Sequence, residues 1–217
     1  MRATTKACHP GLALMAAGLL SLAPSAARAE DMAGMPGMSD PHARCHQTMS
    51  HLEHATRTTA DYALPEVGLV RDDGRAVTLA QALGGDRPVV LDFIFTTCTT
   101  ICPVMSQTFT RLQAQLGDQA DRVRLVSISI DPEQDTPARL AAYARRFHAG
   151  REWRLYTGTA QDSIAVQRAF AAYRGDKMDH TPVTFIRTSP GHRWVRIDGF
   201  ASAEELAREL HEQVAVH

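Results

Sequence analysis

From Tyr62 onward the apolar residues fall into short runs with two different periods. Glu66–Val70 and Ala76–Leu79 flank the turn Asp72-Asp73-Gly74-Arg75 and predict a β-hairpin around a D-G turn. Pro88 opens Val89–Phe95 (VVLDFIF), a nearly all-apolar strand of the kind buried on both faces. Pro103–Leu116 follows with Met105, Phe109, Leu112 and Leu116 at helical spacing. Val123–Ile130 (VRLVSISI) predicts a strand. Thr136-Pro137 predicts a helix reaching Phe147, capped by Asp135 or Thr136 with proline in the first turn. Trp153–Tyr156 (strand), Asp162–Tyr173 (helix), Val183–Arg187 and Trp194–Ile197 (strands) and Ser202–Val214 (helix) complete the series. Strands alternating with helices behind an early hairpin argue an α/β sandwich on a mixed central sheet with flanking helices. No internal repeat interrupts it.

The first sixty residues lack this pattern. Residues 1–29 read as a secretory signal: Arg2 and Lys6 precede the apolar stretch Gly11–Ala23, and Ala27-Arg28-Ala29 offers an A-x-A cleavage site. The stretch is too short for a membrane span of roughly 20 residues, and an uncleaved anchor is the competing reading. Residues 30–60 are poor in β-branched and aromatic residues and predict a flexible arm, with a short helix over Met49–Thr58. The globular domain is then 61–217. With residues 1–29 removed, the mature chain starts at Glu30, in an oxidising periplasmic compartment.

Composition adds exclusions and one anomaly. The 217 residues carry 23 basic and 24 acidic side chains, a net charge of −1, so no basic footprint for nucleic acid is present. Four cysteines are too few for a disulfide scaffold. Half of the 8 methionines (Met32, Met35, Met38, Met49) and four of the 10 histidines (His42, His46, His51, His54) lie between positions 32 and 54, together with Cys45. Thioethers suit Cu(I) and imidazole suits copper of either charge, so these nine residues are candidate copper ligands. A solvated linker of accidental composition is the alternative. Cys45 either ligates copper beside His46 and Met49 or remains an idle thiol or pairs with another chain. No C-x-x-C-H is present, so covalent haem is excluded.

Three motifs carry chemistry. Cys98-Thr-Thr-Ile-Cys102-Pro103 lies at a strand-to-helix junction, where open α/β sheets place their sites. Cysteines at i and i+4 can share a helical face, about 6 Å apart at Cα, close enough to meet one ion or each other. A helix N-terminus there favours the thiolate. Asp179-His180-Thr181-Pro182 precedes the strand Val183–Arg187, so His180 is a candidate third ligand; two thiolates and an imidazole suit Cu(I) or Cu(II). Ser129-Ile130-Asp131-Pro132-Glu133-Gln134-Asp135-Thr136-Pro137 ends the middle strand, and Asp131 either orients a ligand from behind or caps a turn.

Together these motifs resemble the SCO/SenC family of copper chaperones, over roughly residues 62–214. The resemblance implies a thioredoxin-like fold that binds copper through Cys98, Cys102 and His180. It implies delivery of copper to the dinuclear copper centre of cytochrome c oxidase, or reduction of that centre's disulfide. The implied partners are the oxidase subunit carrying the centre, other periplasmic copper carriers and a thiol reductant. The chain departs from the family pattern at Thr99, where proline is common, and at Pro182, where it is not. Thr181-Pro182 looks like the cis-Pro loop that thioredoxins set opposite their thiols, which raises thiol–disulfide oxidoreductase activity through the redox-active pair Cys98/Cys102 as an alternative function. A copper buffer or sensor dominated by the arm is a second one.

Overall fold

The computed structural model describes residues 55–215. The signal 1–29 and the arm candidates Met32, Met35, Met38, His42, Cys45, His46, Met49, His51 and His54 lie outside the described residues. Eight described strands form a mixed sheet: β1 (Thr56–Ala60), β2 (Gly68–Arg71), β3 (Ala76–Thr78), β4 (Val89–Ile94), β5 (Arg124–Ser129), β6 (Trp153–Thr157), β7 (Val183–Arg187) and β8 (Trp194–Asp198). Their order is β1-β8-β7-β4-β5-β6-β2-β3. β4, β5 and β6 run parallel, linked through helices, while the outer pairs are antiparallel. The helices are α1 (Leu79–Leu83), α2 (Ile101–Leu116), α3 (Pro137–Arg146), α4 (Ala160–Ala169) and α5 (Ala203–Ala215). No described helix is long and apolar enough to cross a membrane.

The unbroken apolar run of β4 is explained by two cores. Val90 and Ile94 point into one with Phe109 and Leu112 of α2, Leu140 of α3 and Leu206 of α5. Val89, Leu91 and Phe93 point into the other with Leu83 of α1 and Val166 of α4. Each fully buried side chain of this size contributes roughly 1.5–3 kcal/mol, so the strand that leads into the cysteine motif is among the best-anchored in the molecule.

Several boundaries differ from the sequence reading. The helix expected over Met49–Thr58 is, in its described part, the start of β1, which pairs with β8 from Thr56↔Asp198 to Ala60↔Trp194. Residues 56–60 thus join the sheet rather than the arm. Their side chains are mostly exposed, so backbone pairing and the β preference of threonine set the strand, not burial. Leu79 leaves the hairpin because Thr78 and Gln81 form a reciprocal capping box that starts α1. α4 starts at Ala160, since Thr159 is its N-cap and accepts from the Asp162 N–H.

Candidate metal centre

α2 begins at Ile101, so Cys98 is not on its surface but in the turn ahead of it, while Cys102 is the second helical residue. The cysteines therefore do not share a helical face as the i,i+4 spacing suggested. The N-cap, Thr100, makes no side-chain cap. Instead the Cys102 N–H donates to Cys98 Sγ at 3.4 Å, and the Thr100 hydroxyl lies 3.8 Å from the same sulfur. The sulfur thus takes up a donor that a helix start otherwise leaves unmade. Burial opposes ionisation of Cys98, yet the hydrogen bonds from Cys102 and Thr100 outweigh it and hold its pKa below the ordinary value. Cys102 is the opposite case: it is fully buried, and burial pushes its thiol well up. Both are free thiols in the structure.

His180 follows the 3-10 turn Lys177–Asp179, just before β7. The β4–β7 register ends at Asp92↔Thr184. Beyond it Pro182 has no N–H to give, and His180 Nε2 donates to the Phe93 carbonyl at 3.0 Å. That leaves Nδ1 with the free lone pair. Burial lowers the imidazole's pKa against the opposing pull of the Phe93 carbonyl, favouring the neutral, ligating form. Every described peptide bond is trans, so the cis Thr181–Pro182 bond suggested by analogy is absent; the proline serves to end the ladder.

Cys98 and His180 line one cavity of about 140 Å³, together with Phe95, Ile101, Lys177 and Met178. As the side chains lie, no group of three His, Cys, Asp or Glu among the described residues is close enough to hold a metal ion. The donor set nevertheless fits a soft ion: one sulfur biased toward thiolate, a second sulfur in the first turn of α2 and an imidazole with an open nitrogen. Cys102 is fully buried and does not line this cavity.

Asp131 does not reach His180 through a hydrogen bond; its Oδ2 receives Lys177 Nζ at 2.6 Å. The Lys177 ammonium also sits 5.8 Å from the centroid of the Phe95 ring. Asp131 thus steadies the turn that carries His180 rather than the imidazole itself. Asp135, read as a helix-cap candidate, is wholly buried, and Thr136 is the cap. The Asp135 carboxylate accepts from the Thr96 N–H and hydroxyl and from the Ser129 hydroxyl at 2.6 Å. It ties the cysteine turn to the end of β5.

Beneath α2 the core holds a second polar group. Asp92, at the centre of β4, is fully buried, and neither carboxylate oxygen makes a hydrogen bond of good geometry, Ser127 being the only hydroxyl that acts on it. Burial pushes its pKa up to about 7, with Ser127 only partly offsetting. It faces the core that holds Cys102, and its charge acts to raise the pKa of both Cys102 and Tyr143. The sequence reading missed Asp92, Lys177, Met178 and the anchoring role of Asp135. The one usable signal was an aspartate inside an apolar strand.

A family model described as SCO1/SenC matches residues 53–215. The SCO1 protein homolog of Bacillus subtilis (strain 168) is 36% identical over 105 residues, covering 48% of this chain and 53% of that protein. The chain spans about half the length, or less, of the curated relatives it matches. Among solved structures, Arabidopsis thaliana ScoI with copper bound is 25% identical, with a TM-score of 0.60 over 71% of this chain and 100% of that one. Bradyrhizobium japonicum ScoI with copper bound is also 25% identical, with a TM-score of 0.59 over 70% and 99%.

Proposed function

The chain belongs to the SCO1/SenC family, and on that footing we propose that it is an exported copper-binding metallochaperone. Cys98, Cys102 and His180 are its ligands, and the dinuclear copper centre of cytochrome c oxidase is its acceptor. The observation that carries the reading is the hydrogen-bonded Cys98 sulfur sharing a cavity with a neutral His180 whose Nδ1 is free. Copper-bound relatives of the same fold support the choice of metal. Because the three donors do not yet converge, binding has to draw the cysteine turn and the His180 turn together around the ion. Residues 1–29 serve as the export signal to the periplasm, residues 30–55 carry a Met/His-rich arm, and the domain follows. Periplasmic copper carriers and a thiol reductant are the upstream partners.

The test is an anaerobic titration of the reduced full-length protein with Cu(I) and Cu(II), beside Cys98→Ser, Cys102→Ser and His180→Ala. Loss of one tight equivalent in each cysteine variant and weakening in the histidine variant are expected. Transfer to the apo copper domain of the oxidase then reads delivery. Unchanged tight stoichiometry in Cys98→Ser would sink the proposal.

A second reading is favoured by the asymmetry of the pair, an acid-shifted Cys98 beside a buried Cys102. Cys98 thiolate attacks a substrate disulfide, expelling one thiolate, and Cys102 then releases Cys98 by forming the Cys98–Cys102 disulfide. Two electrons pass to the substrate and the pair is left oxidised. Catalytic reduction of the oxidised acceptor domain by metal-free protein, with a thiol reductant regenerating it, distinguishes this role.

A further inference from the structure

Met178 stands apart from every role assigned above. The residue is 73% exposed, yet it lines the cavity that Cys98 and His180 line. Its backbone is fixed: the Met178 N–H donates to Asp176 Oδ1 at 2.9 Å, and the Asp179 and His180 N–H groups close on the Asp176 and Lys177 carbonyls. The result is a flexible thioether on a pinned turn, two residues before the imidazole, carried into the lining of the cavity that Cys98 also lines. Cys102, by contrast, is fully buried in the first turn of α2 and does not line that cavity. An incoming ion therefore meets Cys98, His180 and Met178 before it meets Cys102.

We propose that Met178 is a metal ligand of a capture site for Cu(I), formed with Cys98 and His180. The thioether holds the ion until Cys102 replaces it. This rests on the copper-carrier reading above and extends it to how the ion is loaded. The chemistry is ligand exchange without electron transfer. Cu(I) keeps the Cys98 thiolate, the bond to the Met178 sulfur breaks as the bond to the Cys102 sulfur forms, and the Cys102 proton leaves to solvent. A neutral thioether suits the first role because it is soft enough for Cu(I) yet carries no charge or proton that would hinder its release.

The experiment uses the full chain and reads Cys98 alone, by peptide mass mapping of iodoacetamide alkylation at Cu(I) levels buffered with bicinchoninate. In a Cys102→Ser background, Met178→Leu is expected to raise the free Cu(I) needed for half-protection of Cys98 about tenfold, the equivalent of about 1.4 kcal/mol. Met178→His, which restores a donor, is expected to recover most of that loss. With Cys102 present, the half-protection point for Met178→Leu is expected to move no more than about twofold while protection develops more slowly. Identical protection of Cys102→Ser with and without Met178→Leu overturns the capture site while leaving the carrier reading intact. Failure of copper to protect Cys98 in the unmutated chain overturns both.

Discussion

The two sulfurs of the pair sit in opposite surroundings, one in the turn ahead of α2 and the other in its first turn. Cys98 lies in a turn at the mouth of a cavity, receives the Cys102 N–H, and is shifted toward thiolate. Cys102 lies in the core, the floor of the site, with no exposed surface and outside the lining of that cavity; the Tyr143–Ser106 hydroxyl pair, 2.8 Å apart, and the buried Asp92 share its surroundings. The mouth offers donors to whatever arrives; the floor makes its polar groups harder to ionise. A helix start aimed at one sulfur and a low-dielectric core around the other produce this asymmetry without any difference in residue type.

The largest expected effect comes from the floor. The folded-state pKa of Asp92 is raised to about 7, above its unfolded value near 3.8. Between those values the folded state binds more protons than the unfolded one, so stability falls as pH rises through that window. Above pH 7 the whole penalty is present, on the order of 4 kcal/mol at 1.36 kcal/mol per unit. Cys102 and Tyr143, which share its core, are both shifted upward and stay neutral across this range. Denaturant melts at pH 5 and pH 8 should show the unmutated protein losing more stability on the way up than Asp92→Asn. Equal losses would remove the floor's electrostatic character from the comparison.

Next comes the tie between mouth and scaffold. Asp135→Ala leaves the Thr96 N–H and hydroxyl and the Ser129 hydroxyl without their shared acceptor. A cost of roughly 2–4 kcal/mol is expected, since these bonds are buried and charge-assisted. Thermal melting measures it, and Asp135→Asn should recover part of the loss. The cysteine turn should loosen with it, so Cu(I) affinity is expected to fall in the alanine variant even where the protein remains folded.

These residues also show how much was legible in the sequence. β4, the D-G hairpin and the Thr136-Pro137 helix start were visible because each rests on local chemistry: an apolar run, a turn glycine, a proline after a cap. Cys98, Cys102 and His180 were singled out by spacing and by their positions beside predicted strands, and the fold brings Cys98 and His180 to one cavity. β1 was not visible because TRTTA has no apolar period; only the free edge of β8 makes it a strand. Asp135 looked like a cap because its sequence context is that of a cap, and only the fold reveals Thr96 and Ser129 waiting for a carboxylate. Met178 carried no pattern at all, since a single methionine outside a helix face signals nothing until the fold brings its turn to the cavity that Cys98 lines.

A smaller effect separates the sulfurs directly. Under metal-free, reducing conditions, iodoacetamide should modify Cys98 at least about tenfold faster than Cys102 at neutral pH, because alkylation needs a reachable thiolate. The pH at which Cys98 reaches half its maximal rate should lie below that of an unperturbed cysteine. Comparable rates at the two positions would mean that α2 opens often enough to erase the asymmetry.

The smallest expected effect is none, and it decides what holds the Cys98 thiolate. Lys177 lines the same cavity as Cys98, and a cation there is the obvious candidate for stabilising a thiolate. Its charge, however, is engaged by Asp131 at 2.6 Å, so the pair presents little net field to the sulfur. The groups that favour the thiolate are the Cys102 and Thr100 donors. Lys177→Gln should therefore leave the alkylation midpoint of Cys98 where it is, whereas Thr100→Val, which removes a hydroxyl 3.8 Å from the sulfur, should move it upward. A shift in the lysine variant with none in the threonine variant would transfer the effect from the helix start to the cation. The mouth would then owe its reactivity to a side chain on the turn ahead of β7 rather than to the way β4 enters α2.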